Sequence, residues 1–386
     1  MIYADHAATT AMSRAALEIL LRYSGELYGN PSALYTFGQR AKRVLEDARS
    51  ETAALLHADA KELTFTSGGS ESDNQALRSA AAIGAAAGRR HIVSTAFEHH
   101  AVLRTLEQLR REGFSVTLLR VPESGIVRAE QVAAAIRGDT YLVSVMFANN
   151  EIGTIQPVAE IGAVCRERGV LFHTDAVQAA GHLEIDVKSQ NIDLLSLSAH
   201  KFHGPKGIGA LYARRGIRLT PLICGGAQER GVRAGTENAP AAAAMAAALS
   251  ECCAQLPQMQ EKLTRQRDRL IEGLSAIPGS ILNGDRLQRL PSNVNFSFPG
   301  IEGETLLLLL DQRGICASSG SACASGSAEP SHVLTAIGRD AETARGSLRL
   351  TIGRETTDAE IEALIAAVTE CVTALRSLMH DRSDNT

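Results

Sequence analysis

Short apolar runs rich in β-forming residues alternate with helical patterns between about residues 15 and 250. The clearest runs precede a loop or a helix and lie at residues 63–66, 91–94, 141–147, 170–174 and 194–197. This alternation predicts an α/β domain with a mostly parallel sheet. Because ligands of such sheets bind beyond the carboxyl ends of the strands, the residues that follow these runs are the first candidates for function.

A different pattern begins near residue 256. The charged segment at residues 258–272 predicts a long amphipathic helix that leads out of the first domain. An α+β pattern of strand-like and helical stretches follows, at residues 293–298, 302–313, 347–352 and 358–378. Since 386 residues also exceed the usual size of one core, we expect two domains. The large one would span residues 15–255, and the small one residues 1–14 and 256–386.

The composition does not favour nucleic-acid or membrane partners. A formal net charge of −4 offers no basic field for nucleic acid or anionic lipid. The chain start lacks a secretion pattern, and the longest bland run, residues 239–249, is too short to cross a bilayer. The seven cysteines include no C-x-x-C pair, which argues against a zinc site and a disulfide framework. We therefore expect a protein without a bound metal, located in the reducing cytoplasm.

A lysine ends one of the apolar runs. Residues 194–201 close with Lys201, and a turn rich in glycine and proline follows at residues 204–209. Partial desolvation favours the neutral amine of a lysine, which is the nucleophile that Schiff-base chemistry requires. Taken alone, such a lysine is more often an exposed residue at a strand end.

An aspartate follows the preceding strand in the same way. The run at residues 170–173 leads into Asp175 and then Gln178. A carboxylate there could keep a pyridinium nitrogen protonated, so that the ring can accept electrons, and Gln178 could bind the phenolic oxygen of that ring. Asp175 alone could instead cap the next helix. An aspartate and a lysine at successive strand ends favour the cofactor interpretation.

The turn after residues 63–66 is rich in small residues. Gly69 and its neighbours would let backbone N–H groups approach an anion at a helix N-terminus, and the Ser70 hydroxyl adds a donor. Ser198 and His200 could donate to the same phosphate. The turn lacks the Gly-Lys-Ser/Thr ending of a nucleotide P-loop and is also compatible with an ordinary capped helix.

One cysteine has unusual surroundings. Cys323 lies among serines, glycines and alanines at residues 318–326, whereas a structural cysteine is usually a buried small hydrophobe. Its thiol could act as a nucleophile once ionised, and His99 or the substrate complex could provide the base. We interpret the others as structural: Cys165, Cys224, Cys252, Cys253, Cys316 and Cys371.

Together these residues resemble the cysteine desulfurases over nearly the whole chain. The resemblance rests on Asp175-x-x-Gln178, Ser198-x-His200-Lys201, Glu98-His99, Asn149-Asn150-Glu151-x-Gly153 and Ser318-Ser319-Gly320-Ser321-Ala322-Cys323. The segment that holds Cys323, with residues 326–334 after it, is similar to the branch that serves nitrogenase and general iron–sulfur cluster assembly.

The resemblance implies a homodimeric, fold-type-I enzyme with a mainly parallel seven-stranded sheet. Lys201 would bind pyridoxal 5'-phosphate covalently, and Cys323 would take the sulfur of L-cysteine as a persulfide while L-alanine leaves. The resemblance also implies further contacts: His99 with the cofactor ring, Asp175 with its nitrogen, Gln178 with its phenolic oxygen, Gly69, Ser70, Ser198 and His200 with its phosphate, Thr236 with the phosphate in the neighbouring subunit, and Asn149 and Arg349 with the substrate carboxylate.

Other functions remain open from the sequence. The lysine, the aspartate and the phosphate turn would equally serve a selenocysteine lyase or another aminotransferase-like enzyme, and Cys323 is the feature that discriminates. A catalytically silent subunit that binds a scaffold protein is disfavoured, because every residue of the motifs is present. The sulfur acceptor could be an iron–sulfur scaffold protein, a tRNA-thiolating enzyme or a nitrogenase maturation protein.

Overall fold

The structure, a computed structural model, describes residues 1–319 and 330–383, with side chains up to residue 378. Its strands are β1 (Ile2–Tyr3), β2 (Leu63–Thr66), β3 (His91–Thr95), β4 (Ser115–Leu119), β5 (Thr140–Ser144), β6 (Leu171–Asp175), β7 (Leu194–Ser198), β8 (Gly209–Ala213), β9 (Ile281–Leu282), β10 (Asn293–Ser297), β11 (Ile315–Cys316) and β12 (Ser347–Thr351). Its α-helices are α1 (Arg14–Glu26), α2 (Thr36–Leu55), α3 (Gly69–Ala86), α4 (His100–Arg111), α5 (Ala129–Ala135), α6 (Val158–Glu167), α7 (Ala239–Ala254), α8 (Leu256–Ser275), α9 (Gly303–Gln312), α10 (His332–Ala336), α11 (Ala341–Arg345) and α12 (Asp358–Ser383).

A seven-stranded sheet forms the centre of the larger part of the molecule. Its strand order is β2-β8-β7-β6-β5-β3-β4, and within it β8 runs antiparallel to both neighbours while the other pairs are parallel. Strands β3, β5 and β7 are buried along their whole length, a pattern typical of a sheet with helices on both faces. The predicted α/β fold with a mainly parallel seven-stranded sheet is confirmed.

Each apolar run identified in the sequence overlaps a strand of this sheet. The largest shift is at β5, which ends at Ser144 although the apolar run continues to Phe147. The backbone N–H groups of Val145 and Phe147 still donate to the carbonyls of His173 and Asp175, at 3.1 and 2.8 Å. Pairing with β6 therefore continues to the point where Asp175 leaves the sheet.

Helices α7 and α8 lead from the first part of the molecule to the second. The Asn238 side chain caps α7 by accepting a hydrogen bond from Ala241 N at 3.1 Å. Helix α8 follows with Pro257 in its first turn, where the missing N–H group would have no helical partner. It buries Leu263 and Leu270, as expected for the predicted amphipathic helix. None of the helices in the described part of the chain is long and apolar enough to span a membrane.

A second hydrophobic core surrounds a smaller sheet. Strand β10 pairs antiparallel with β9 and β12, and β1 pairs parallel with β11. Ala4 from the start of the chain packs in this core with Phe296. Val333, Leu334 and Ile337 instead pack in the core of the large sheet. The assignment of residues 256–386 to a single small domain therefore remains a prediction.

Candidate active site

A cavity of about 440 Å³ lies beyond the carboxyl ends of the central strands. Nine of the predicted functional residues line it: Gly69, Ser70, His99, Asp175, Gln178, Ser198, His200, Lys201 and Arg349. Asn149 and Thr236 do not line this cavity. Cys323 lies outside the described residues.

Lys201 lies in the 3₁₀ turn Ala199–Lys201 directly after β7. Its Nζ donates hydrogen bonds to the carbonyl oxygens of Ala7 at 2.5 Å and Ala8 at 2.8 Å. Gln178 Nε2 donates to the same Ala7 oxygen at 3.0 Å. The segment near the start of the chain therefore contributes to the cavity lining and holds Lys201 beside Gln178.

The turn between β2 and α3 has the character of an anion site. Helix α3 begins at Gly69, so the N–H groups of its first turn, including that of Ser70, have no intrahelical acceptor. Gly68 has a φ of +152°, which residues with side chains rarely adopt, and a Cβ on Gly69 would lie 2.6 Å from Val177 Cγ2. The turn therefore depends on both glycines and leaves its backbone open to an anion.

Ser198 and His200 approach this turn from β7. A Cβ on Gly68 would lie 3.4 Å from Ser198 Oγ, so this hydroxyl is close to the turn. His200 Nδ1 forms a hydrogen bond with Thr9 Oγ1 at 3.1 Å. Burial and the nearby charges of Lys201 and Lys206 lower the pKa of His200 to about 4. Without a bound anion, the imidazole is therefore neutral at neutral pH and can still donate a hydrogen bond.

Asp175 and Asp73 bring two buried carboxyl groups to the same cavity. One oxygen of each and a ring nitrogen of His99 lie within 4.8 Å of one another, a spacing that could also hold a cation. Asp175 accepts a hydrogen bond from Val177 N at 2.9 Å, whereas Asp73 Oδ1 has no donor among the described residues. Burial raises the pKa of both carboxyl groups, and repulsion from Asp175 adds to the effect at Asp73. This pair is suited to a positively charged or protonated ring nitrogen.

In the cofactor-free protein, Asp73→Asn is expected to change how stability depends on pH. A carboxyl group whose pKa is raised by folding contributes stability that is complete below about pH 4 and is lost as the pH rises through the folded-state pKa. Asparagine keeps the shape and removes this titration. Between pH 4 and pH 8 the free energy of unfolding should therefore fall less in the variant than in wild type, by roughly 1–3 kcal/mol. Urea unfolding at both pH values measures this difference. An equal loss of unfolding free energy in the variant and in wild type would contradict a raised pKa of the buried Asp73 carboxyl group.

A polar layer lies behind Asp73. His173 Nε2 is 3.6 Å from Asp73 Oδ1 and 3.1 Å from Ser196 Oγ, and its Nδ1 is 2.9 Å from Ser144 Oγ. Burial lowers the pKa of His173 to about 3 and raises that of Glu98 to about 8. This layer therefore adds hydrogen-bonding groups, with few fixed charges, beneath the two aspartates.

His99 lies at the start of α4. Its Nδ1 accepts a hydrogen bond from Ala101 N at 3.1 Å, which fixes the ring at the helix N-terminus. The residue also lines the cavity next to Asp175. A ring held in this way can lie against a planar cofactor.

Arg349 lies in β12, a strand of the smaller sheet, and lines the cavity. Its side chain is 2% exposed; Nη2 bonds Asp5 Oδ1 at 2.7 Å, and Nη1 donates to the Asn150 carbonyl at 3.1 Å. The buried Nε has no acceptor among the described residues. Because a guanidinium has about five N–H donors, Arg349 keeps donors for a carboxylate in the cavity.

The structure does not bring Asn149 to the cavity lining, and its predicted contact with the substrate carboxylate remains a prediction. Its Nδ2 donates to the Phe97 carbonyl at 3.1 Å, and its Oδ1 accepts from Glu151 N at 2.8 Å and Ile152 N at 3.0 Å. The side chain is buried and stabilises the turn after β5. The next residue, Asn150, lines the cavity and is the asparagine available to a substrate.

The cavity also contains titratable groups whose roles were not predicted from the sequence. Glu151 accepts a hydrogen bond from Ser331 Oγ at 2.5 Å, and burial raises the pKa of Glu151 to about 7. The rings of His100 and His332 are in contact, with 4.5 Å between centroids and 36° between planes, and His332 Nε2 forms a hydrogen bond with the Glu98 carbonyl at 3.0 Å. These titratable side chains therefore lie on the side of the cavity next to Ser331 and His332.

Thr236 and the described cysteines lie outside the cavity lining. Thr236 is exposed, so its predicted contact with a neighbouring subunit remains a prediction. The described cysteines are free; Cys165 and Cys371 are buried, and Cys252, Cys253 and Cys316 are partly buried. Cys224 is exposed, so its interpretation as a buried hydrophobe is wrong.

The fold and the cavity together define a class of protein. The glycine turn is suited to bind a phosphate. The Lys201 amine can react with an aldehyde, and the Asp175 carboxyl group can bind a pyridine nitrogen. The cavity volume also lies within the range of roughly 300–1,000 Å³ that is common for cofactor sites. These groups fit pyridoxal phosphate, and the fold is that of fold-type-I pyridoxal-phosphate enzymes.

Comparison with known proteins agrees with this class. The chain matches the family model of the aminotransferases class V over residues 2–364. It is 50% identical to the cysteine desulfurase IscS of Clostridium botulinum over 380 residues, which covers 98% of this chain and 96% of the relative. A cysteine desulfurase of Nostoc is 47% identical over 385 residues, covering 100% of this chain and 96% of the relative.

Solved structures give the same result. A NifS-like protein aligns with a TM-score of 0.91 and 35% identity, covering 97% of this chain and all of that one. The protein SspA, solved in complex with cysteine, aligns with a TM-score of 0.81 and 36% identity, covering 91% of this chain and 99% of that one. The chain belongs to the aminotransferase class-V family, within its cysteine desulfurase group, and is a pyridoxal-phosphate-dependent enzyme.

Proposed function

We propose that this chain removes sulfur from L-cysteine, releases L-alanine and holds the sulfur as a persulfide on Cys323. The observation that carries the proposal is the convergence of Lys201, Asp175 and Arg349 on one cavity. An amino-acid substrate requires an amine that handles its α-proton, a partner for the cofactor ring and a group that binds its carboxylate. The names of the relatives and the cysteine-bound SspA support L-cysteine as that amino acid.

The residues around the cavity would hold the cofactor at three points. Bound pyridoxal phosphate supplies an electron-accepting ring that stabilises negative charge at the substrate α-carbon. The N–H groups at the start of α3 would orient the phosphate, Asp175 would hold a proton on the ring nitrogen, and Gln178 would bind the phenolic oxygen. His99 would lie against the ring and exclude water from it.

Lys201 is the group that moves the substrate α-proton. With no cofactor attached, its Nζ donates to the carbonyls of Ala7 and Ala8, which hold the amine at the cavity. With L-cysteine in the cavity, Nζ takes the proton from the α-carbon and later returns it to the substrate.

Cys323 then receives the sulfur. Its thiolate attacks the substrate sulfur, the bond between the substrate Cβ and sulfur breaks, and the electron pair remains on carbon, which takes up a proton to give L-alanine. The described residues on either side of the Cys323 segment are bound to cavity residues. Ser318 pairs with Arg349 through two backbone hydrogen bonds, of 2.6 and 3.2 Å, and Ser331 binds Glu151. These contacts hold the described residues on both sides of that segment beside cavity residues.

Arg349→Lys is expected to raise KM for L-cysteine by about 10- to 100-fold. The reason is that an ammonium cannot form the two parallel hydrogen bonds that a guanidinium gives a carboxylate, and a charged hydrogen bond contributes about 1.5–3 kcal/mol. Initial rates of alanine formation over a range of L-cysteine concentrations measure KM. Arg339→Lys is a control outside the cavity, since Arg339 pairs with Glu123. An unchanged KM in Arg349→Lys would contradict the role of Arg349.

The proposal extends to the assembly and the partners of the protein. It includes a homodimer, in which Thr236 reaches the phosphate of the partner subunit, and a division into a large domain at 15–255 and a small domain at 1–14 and 256–386. A sulfur acceptor such as an iron–sulfur scaffold protein is supported by the IscS and NifS-like names of the relatives. The free thiols of the described cysteines support a cytoplasmic location.

Product analysis of the purified protein tests this function. With pyridoxal phosphate and L-cysteine, L-alanine and protein-bound persulfide should appear in equal amounts in a single turnover. Alanine formation from L-selenocysteine alone would favour a selenocysteine lyase. Transfer of the amino group to a keto acid, with no sulfur released, would favour an aminotransferase.

A further inference from the structure

The segment at residues 228–233 is bound to both sides of the turn that we assign to the cofactor phosphate. It contacts β2, which leads into the turn, and α3, which leads out of it. The segment itself does not line the Lys201 cavity. Its contacts therefore act on the shape of the turn from outside the site.

Glu229 is the first anchor of this segment. Its carboxylate accepts two hydrogen bonds from Arg49 of α2, at 2.7 and 2.8 Å, and a third from Phe65 N in β2, at 3.0 Å. The side chains of Arg49 and Glu229 are only 4% and 3% exposed. A buried, bidentate pair of this kind is strongly directional, and loss of one partner leaves the other charge uncompensated.

The backbone of the segment is held in an unfavourable conformation. Glu229, Arg230 and Gly231 have φ values of +46°, +58° and +82°. Consecutive non-glycine residues in the left-handed region persist only where the surroundings hold them. The Arg49–Glu229 pair and a hydrogen bond from Arg230 to the Leu63 carbonyl provide that constraint. The anchors therefore impose the shape of the segment.

Arg233 is the second anchor, on the α3 side of the turn. Its Nε donates to Glu71 Oε1 at 3.0 Å, and Glu71 Oε2 accepts from Ser67 N at 2.7 Å. Burial would raise the pKa of Glu71, but the hydrogen bonds from Arg233 and Ser67 outweigh this effect and hold it below its usual value. Glu71 lies in the first turn of α3, so its negative charge would repel a bound phosphate unless Arg233 offset it.

We infer that the ion pairs Arg49–Glu229 and Arg233–Glu71 set the affinity of the site for the phosphate group of the cofactor. Glu229 and Arg233 are thus positioning residues, which act through the turn at residues 67–70. An anion site made of backbone N–H groups binds strongly only if those groups already have the right directions, and the two pairs fix both ends of the turn. The inference rests on the proposed function only for the identity of the anion.

Equilibrium binding of pyridoxal phosphate and of pyridoxal, which lacks the phosphate, tests the inference. Glu229→Gln and Arg233→Gln should each raise Kd for pyridoxal phosphate by roughly 10- to 100-fold, the loss typical when a residue that supports a ligand-binding group is replaced. Kd for pyridoxal should remain that of wild type, so the preference for the phosphorylated ligand falls. The absorbance of the bound ligand and thermal unfolding are both recorded.

Asp193→Asn is the matched control. Asp193 is also buried, pairs with Arg214 at 2.5 Å and accepts a hydrogen bond from Phe172 N in β6 at 2.9 Å. It differs in position, because it directly precedes β7 and so lies at the amino end of that strand, whereas the cavity lies beyond the carboxyl ends. Asp193→Asn should lower the thermal stability without changing the preference for pyridoxal phosphate over pyridoxal.

An unchanged preference in Arg233→Gln, whose side chain is partly exposed, would overturn the inference even if Glu229→Gln failed to fold. If wild type did not bind pyridoxal phosphate, both the inference and the proposed function would fall.

Discussion

Lys201→Ala is expected to lower the rate of alanine formation from L-cysteine by about 10⁴-fold or more. The variant loses both the covalent link to the cofactor and the base that takes the α-proton, and a general base alone is worth about 10²- to 10⁴-fold. No other lysine lines the described cavity, so a replacement amine is not at hand. Alanine quantified by chromatography and the visible spectrum of the bound cofactor together measure the effect.

Lys206→Ala is the control for this prediction. Lys206 lies in the same connection between β7 and β8 but is exposed and does not line the cavity. We expect it to keep the rate and the spectrum of wild type. Substantial alanine formation by Lys201→Ala, or a comparable loss in Lys206→Ala, would contradict the role of Lys201.

Cys323→Ala is expected to reduce sulfur release from L-cysteine to background, a loss on the order of 10⁴- to 10⁶-fold, as when a catalytic nucleophile is removed. Cofactor binding should be retained, because the residues that we assign to the cofactor do not include Cys323 and, apart from Thr236, line the described cavity. Persulfide trapped with an alkylating reagent and identified by mass spectrometry, together with the alanine yield, measures the effect.

Cys224→Ala is the matched control, since Cys224 is an exposed thiol outside the cavity. It should behave as wild type. Persulfide found on Cys224, or undiminished alanine formation in Cys323→Ala, would refute the assignment of Cys323. Retained activity with L-selenocysteine in Cys323→Ala would instead point to selenium chemistry.

Much of the large sheet could be predicted from the sequence, because its central strands are continuous apolar runs between turn signals. Strand β8 was not predicted, because it starts with Gly209, the last residue of a segment whose sequence is typical of a turn. Strand β4 lies at the sheet edge with exposed residues, so its apolar pattern is weak. Local composition thus identifies buried strands better than edge strands or strands that begin with glycine.

The site was predictable where function depends on strand ends. Asp175 and Lys201 follow successive strands, which places both at one edge of the sheet. The choice between Asn149 and Asn150 could not be made, because side chains in a turn have no fixed alternation and backbone contacts decide which one points inward.

Asp73 and Asp5 were missed for a different reason. Asp73 appears in the sequence as an ordinary polar residue of α3, and its closeness to Asp175 depends on how that helix packs on the sheet. Asp5 meets Arg349 across most of the chain length, a contact that no local pattern indicates. The carboxyl groups that tune the site thus depend on tertiary packing.

Reduction of the cofactor-loaded protein with borohydride, followed by peptide mapping, is the most direct test of the covalent role of Lys201. The account predicts a pyridoxyl group on the peptide that contains Lys201, and on that lysine within it. A label on Lys206 or on any other lysine, or a reduced protein without label, would contradict it.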